Sequence, residues 1–281
     1  MLAVVFGIST AICWGIADFI GGSQSRRVGA YGMTLGTIGC GLLLLLVAGV
    51  TFGGASLSLS GWLLCILAGA FDAVGILLLY QSMTMGRLSL AAPVSALTAA
   101  ALPVLFGILT LGMPKMAIIF GLLLALAAIW MVSQEHSEEQ GQRISFAELK
   151  MPLLSGACLG TFLILMHTGS ENALLWPMVA VRAGGITALL LVLLIPLKSR
   201  MHTSVPLPWL IIAVNALLDV GGNGCFILAG QTGRIDVAAV LSSLYPGATV
   251  FMAWLLLKET ISRIQLAGIM TALGAIALLT L

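Results

Sequence analysis

The chain has 281 residues, of which 60% are hydrophobic and only 8% charged, against about a quarter charged in soluble domains. So few charges cannot cover the surface of a soluble protein of this length, and the chain reads as an all-α, polytopic membrane protein. A net charge of +2 with no basic run excludes nucleic acid as a partner.

Apolar stretches of membrane length, divided by clusters of Gly, Pro, Ser and charge, predict ten spans. They lie near 2–22, 31–52, 61–82, 88–111, 116–133, 152–170, 176–197, 208–230, 235–257 and 264–281. The first is entered at once, without a basic segment or a convincing cleavage site, so it reads as a retained span and not as a signal peptide. Cys13, Cys40, Cys65, Cys158 and Cys225 lie inside apolar segments with no CxxC spacing. They read as small packing residues rather than metal or redox groups. Trp62, Trp130, Trp176 and Trp209 fall at span ends, as interfacial anchors do. The one long polar connection, 134–150, separates a unit 1–133 from a unit 151–281.

These units repeat each other. At an offset of 147 residues, the separation of Trp62 from Trp209, Asp72 falls on Asp219, Gly75 on Gly222 and Gly86-Arg87 on Gly233-Arg234. Ser95 then meets Ser242, Leu97 meets Leu244 and Gly121 meets Gly268. At a slightly different offset, Cys13-Trp14-Gly15 lies over Cys158-Leu159-Gly160. Five spans per unit is an odd number, so the second unit must enter the membrane from the opposite side. Inverted repeats of this kind place a binding site at their interface near the bilayer midplane, which predicts a secondary transporter.

Charge sets an expected orientation. Arg26, Arg27, Arg87, Arg143, Lys150, Lys198, Arg200, Lys258 and Arg263 fall on one side, and Lys115 and Arg234 on the other. The positive-inside rule puts the first set, with the 134–150 connection, in the cytoplasm and both termini outside.

The stretch Trp14-Gly15-Ile16-Ala17-Asp18-Phe19, followed by Ser25-Arg26-Arg27, resembles the first span of bacterial EamA-type members of the drug/metabolite transporter superfamily. Ser242-Ser243-Leu244-Tyr245-Pro246, running to Lys258-Glu259-Thr260 and Gln265-Leu266-Ala267-Gly268, resembles the family's ninth span, turn and tenth span. Ala92-Pro93-Val94-Ser95-Ala96-Leu97 and Leu102-Pro103-Val104 resemble the equivalent fourth span. The first half departs from the pattern, with Leu111-Gly112-Met113-Pro114 where the family carries Gly-Glu, so Glu259 has no partner by repeat. The resemblance implies a bacterial cytoplasmic membrane protein that exports or exchanges small metabolites. It further implies a cavity lined mainly by spans 1, 3, 4, 6, 8 and 9, with spans 5 and 10 peripheral. Its members usually keep both termini in the cytoplasm, contrary to the charge tally.

Asp72 and Asp219 lie mid-span, where a lone carboxylate costs several kcal/mol and must be protonated, paired or wet. They are the candidates for ion coupling and for binding; the alternative is a hydrogen-bonded acid that locks helices together. Asn215, Asp219, Gly222, Asn223 and Phe226 share one face of span 8, which favours Asp219 over Asp72 as the functional acid and leaves Asp72 as a packing acid. On span 1, Thr10, Trp14 and Asp18 recur every four residues. An aromatic ring one turn from a carboxylate suits an organic cation, although Asp18 could instead reach interfacial water and pair with Arg26 or Arg27. Tyr245, before Pro246, is a further aromatic candidate, whereas Tyr80 reads more easily as an interfacial anchor. Arg182 is the basic residue inside a span and is expected to act as counter-ion. His167 and Glu171, one turn apart, read as a solvated helix end before a proton relay. With Asp18, Asp72 and Asp219 against Arg182, the interior is acidic, which favours a cationic or zwitterionic cargo such as an amino acid or amine.

The expected partners are a small-molecule cargo and the lipid bilayer, with the protein a monomer or homodimer and no cofactor. No H-E-x-x-H, G-x-S-x-G or His-Cys cluster suggests an enzyme. A channel would use similar polar faces, but duplicated units suit alternating access better; a scaffold would not need mid-depth acids in both halves.

Overall fold

The computed structural model describes residues 1–85, 88–132, 146–170, 173–192, 206–257 and 262–279, all in helices and short connections, with no strand among them. The helices are α1 (Leu2–Val28), α2 (Ala30–Phe52), α3 (Leu59–Met85), α4 (Leu88–Leu111), α5 (Met116–Val132), α6 (Phe146–Ser170), α7 (Leu175–Val192), α8 (Trp209–Thr232), α9 (Ile235–Ser242), α10 (Tyr245–Leu257) and α11 (Arg263–Leu279). In hydrocarbon every backbone N–H and C=O must be satisfied within its own segment, so these Leu-, Ala- and Gly-rich stretches have helix as their stable form. Eight helical segments are long and apolar enough to cross a membrane, α9 and α10 counting as one, while α5 is shorter. The remaining expected span, α11, has 17 residues like α5. These two pack against each other away from the centre.

Local chemistry sets the boundaries. A single residue, Gly29, joins α1 to α2 at φ 82°, a left-handed conformation that glycine adopts without strain. Ser262 and Gln265 cap α11 reciprocally: the Gln265 N–H donates to Ser262 Oγ at 3.1 Å, and the Ser262 N–H donates to Gln265 Oε1 at 2.9 Å. Pro246 has no N–H, so the ladder cannot run through it. The span splits at Ser243-Leu244, where Leu244 N–H reaches back only to Leu241 and Gly247 N–H only to Leu244. Helix α1 crosses this break through Gly15, where a Cβ would stand 2.5 Å from that of Ala248. Thr249 Oγ1 ties the crossing with a 3.0 Å bond to the Gly15 carbonyl.

Packing follows the repeat. Helices α1 and α8 pair as α6 and α3 do, α1 meets α9 and α10 as α6 meets α4, and α2 meets α8 as α7 meets α3. The correspondence extends to side chains. Gly75 abuts Cys158 and Leu159, and its repeat mate Gly222 abuts Cys13 and Trp14. Lipid offers no hydrophobic drive between helices, so close approach through small residues supplies the cohesion. At Gly69 and Gly184 a Cβ would run into the backbone of Val181 and Ile66 respectively, so α3 and α7 touch main chain to main chain.

Several expected features lie outside the described residues: Glu171, Arg87, Lys258, Glu259 and most of the 134–150 connection. Helix α6 begins at Phe146, inside the expected connection, and α1 runs on to Val28, past the expected end at 22.

The α3–α7 contact makes a direct prediction. Gly69→Ala should destabilise the protein in detergent by the upper part of about 1–3 kcal/mol, because a carbonyl cannot rotate away as a side chain can. Gly39→Ala, with nothing within 4 Å of its Cβ, should be neutral or slightly stabilising. Thermal unfolding of the two variants side by side is the measurement.

Candidate functional site

A central cavity lies between the helices of both halves. Its walls come from α1 (Trp14, Ala17, Asp18), α2 (Thr34, Thr37, Ile38), α3 (Asp72, Ile76, Leu79, Tyr80), α6 (Leu159, Phe162, Leu163) and α8 (Asn215, Asp219). Ala99 of α4 and, at the α9–α10 break, Ser243 and Tyr245 complete the lining. The cavity encloses about 730 Å³ of non-atom space including its open mouth. Helix α2 contributes three wall residues although the resemblance did not imply it.

Arg182, on α7, is 1% exposed and reaches both mid-span acids. Its Nη2 lies 2.7 Å from Asp219 Oδ2, and its Nη1 lies 3.6 Å from Asp72 Oδ2. None of its N–H groups is aligned for a hydrogen bond, so the contact is an ion pair held by proximity. Room for the guanidinium comes from α2, where a Cβ on Gly41 would stand 3.3 Å from Arg182 Nε. The counter-ion role expected of Arg182 therefore has its partners. Asp72, read more easily as a packing acid than Asp219, lines the same cavity and faces the same cation.

Asp18 lies in the cavity with Trp14, not in the alternative position at the interface paired with Arg26 or Arg27. Because α1 continues to Val28, Asp18 lines the cavity, while Arg26 and Arg27 are exposed at the helix end. Its neighbour is Tyr80, whose hydroxyl donates to Asp18 Oδ1 across a long 3.5 Å. Tyr80 is thus corrected too: it is 3% exposed and belongs to the cavity wall, not to an interface. Gly21 makes space for the phenol, since any Cβ there would collide with the Tyr80 hydroxyl.

Asn223 does not line the cavity. Its Oδ1 accepts a 3.1 Å bond from Trp14 Nε1, the indole stacks on Phe226 with centroids 5.9 Å apart, and a Cβ on Gly222 would strike the ring. Span 8 therefore holds Trp14 in position, with Asn223 as a positioning residue. Asn215 faces the cavity and donates from Nδ2 to Thr37 Oγ1 at 3.1 Å, while its Oδ1, also buried, receives no hydrogen bond. The Tyr245 hydroxyl is buried near Ser95 without an aligned hydrogen bond.

One buried acid escaped sequence reasoning. Asp236, at the start of α9, is fully buried and pairs with Arg234, whose Nη2 lies 2.9 Å from Asp236 Oδ2 and 3.0 Å from the Gly112 carbonyl closing α4. An acid two residues after a Gly-Arg pair at a helix start was the available signal. His167 is half-buried against α8, its ring facing Gly230. No group of His, Cys, Asp or Glu among the described residues is arranged to hold a metal.

The ion-pair geometry predicts an order of stabilities. Arg182→Met should cost about 3–5 kcal/mol by leaving two buried carboxylates without their cation. Adding Asp219→Asn to that variant should restore part of the loss. Denaturant unfolding in micelles reads both; an Arg182→Met protein as stable as wild type would show that the carboxylates do not need the guanidinium.

No curated protein matches the chain. Among solved structures, one crystal structure superposes with a TM-score of 0.78 over 99% of this chain and 96% of the other, at 14% identity, a likeness of fold alone. Residues 147–281 match the model of the EamA-like transporter family. That half spans α6 to α11 and contributes Arg182, Asn215, Asp219 and Tyr245 to the site or its support. The second half of the chain is thus similar to the EamA-like transporter family, and eight helical segments of the chain are long and apolar enough to cross a membrane.

Proposed function

We propose that the protein is a secondary active transporter that exports or exchanges small amphipathic metabolites carrying a positive or zwitterionic charge, such as amino acids or amines. The observation that carries this reading is the acidity of the central cavity: Asp18, Asp72 and Asp219 in its walls beside Trp14, Tyr80 and Tyr245, with Arg182 the one cation paired to them among the described residues. One guanidinium cannot neutralise three carboxylates at membrane depth, and the excess favours a bound cation or a coupling proton.

Alternating access of two units, 1–133 and 151–281, provides the mechanism. An odd number of spans in each unit makes them inverted, and the exchange of equivalent contacts between the halves supports this reading. The bacterial cytoplasmic membrane is the compartment in which such a protein works, with the basic side of its connections facing inward.

Two measurements test the proposal. Purified protein in liposomes should show saturable uptake of a cationic or zwitterionic amine from a panel of amines, amino acids, nucleosides and sugar phosphates, and the flux should accelerate when unlabelled cargo is loaded on the far side. Exclusive transport of a sugar phosphate would overturn the electrostatic reading, and flux without saturation or counterflow would indicate a channel. For orientation, Ser137→Cys should react with an impermeant maleimide only after cells are permeabilised; labelling in intact cells would place the 134–150 connection outside.

A further inference from the structure

The three cavity acids are not equivalent. Asp219 and Asp72 face Arg182 at 2.7 and 3.6 Å, so a positive ligand approaching either competes with a buried guanidinium already in place. Asp18 has no such partner among the described residues; only the long contact from Tyr80 reaches it. Tyr80 and Asn215 line the same cavity as Asp18. Asn215 is 1% exposed and lines the cavity, and its buried Oδ1 receives no hydrogen bond. Leaving a buried acceptor without a donor costs about 1–3 kcal/mol. Asp18 and Asn215 thus share one deficiency in the same cavity: both are acceptors without an adequate donor, and one is a carboxylic acid.

Resting on the reading of the cavity as a cation site, we infer that Asp18 and Asn215 form a subsite for an N–H-bearing ammonium group, so that the cargo is a primary or secondary amine and not a quaternary one. Asp18 supplies the charge, and Asn215 Oδ1 takes a second N–H that a fully methylated nitrogen lacks. Arg182, Asp72 and Asp219 brace α3, α7 and α8 around the subsite.

The difference between the halves places the rest of the ligand. Where α1 carries Trp14 and Asp18, the repeat-equivalent positions of α6 are Leu159 and Leu163, and all four line the cavity. The polar head therefore lies toward α1 and the apolar body toward α6. A hydrogen-bonding site discriminates strongly against an analogue that lacks the N–H, because its buried acceptors are then left unpaired.

The test is equilibrium competition binding on the full chain in nanodiscs with 2-phenylethylammonium and its N-methyl, N,N-dimethyl and N,N,N-trimethyl derivatives. Affinity should fall along the series, with the trimethyl compound at least about tenfold weaker than the primary amine. Asp18→Asn should weaken the primary amine roughly thirtyfold or more, and Asn215→Leu should narrow the gap between primary and quaternary. If Asp18→Asn fails to insert, the methylation series on the unaltered protein decides alone. Binding that is level or rises with methylation overturns the subsite and leaves the transporter reading standing, as does an Asp18→Asn protein that binds like wild type. Binding of none of the four overturns the subsite together with the cationic cargo on which it rests.

Discussion

A single buried guanidinium between two carboxylates organises the centre of this protein. Removing a charge from water into a low-dielectric interior costs several kcal/mol per ion, and a close partner recovers that cost only when the geometry holds. Arg182 meets Asp219 from the neighbouring α8 and Asp72 from α3, in the other half of the chain. None of the three can leave the others without stranding a charge, so the ion pairs fix how the halves meet. A third acid, Asp18 of α1, lines the same cavity as the paired Asp72 and Asp219.

Steric fit supports the electrostatics. Gly41 leaves room for the guanidinium, Gly21 for the Tyr80 phenol and Gly222 for the Trp14 indole. In each case a missing Cβ on one helix receives a large side chain from another. The Trp14 indole is further held by its bond to Asn223 and its stack on Phe226. Rigid walls of this kind lower the ordering cost of binding a small ligand.

Near-repetition with local divergence makes the cavity directional. Equivalent glycines in α3 and α8 press on equivalent positions in α6 and α1, yet those positions carry Leu159 on one side and Trp14 on the other. The shared contacts build one cavity from two units, and the differences give it a polar flank and an apolar flank. The break before Pro246 adds Ser243 and Tyr245 to its wall, with α1 packed across the exposed backbone.

Membrane class and helical spans were legible in the sequence because they follow from composition, bilayer thickness setting span length, while the recurring spacing of Asp, Gly and Trp suggested a repeat. Asp72, Asp219, Asn215, Trp14, Asp18 and Tyr245 were legible as candidates because a polar group at membrane depth needs a reason. Their division of labour was not. Periodicity put Asn215, Asp219 and Asn223 on one helix face, but a face is wide enough for one amide to meet the cavity and the other to brace an indole on α1. Tyr80 read as an anchor because the sequence suggested that its span ended near 82, whereas α3 continues to Met85 and buries it. Which acid lacks a cation depends on where α7 delivers Arg182, and that is a contact across more than a hundred residues for Asp72. Sequence determined which charges enter the membrane; only tertiary packing decided which neutralise one another, because pairing energies depend on distances between helices that no local pattern encodes.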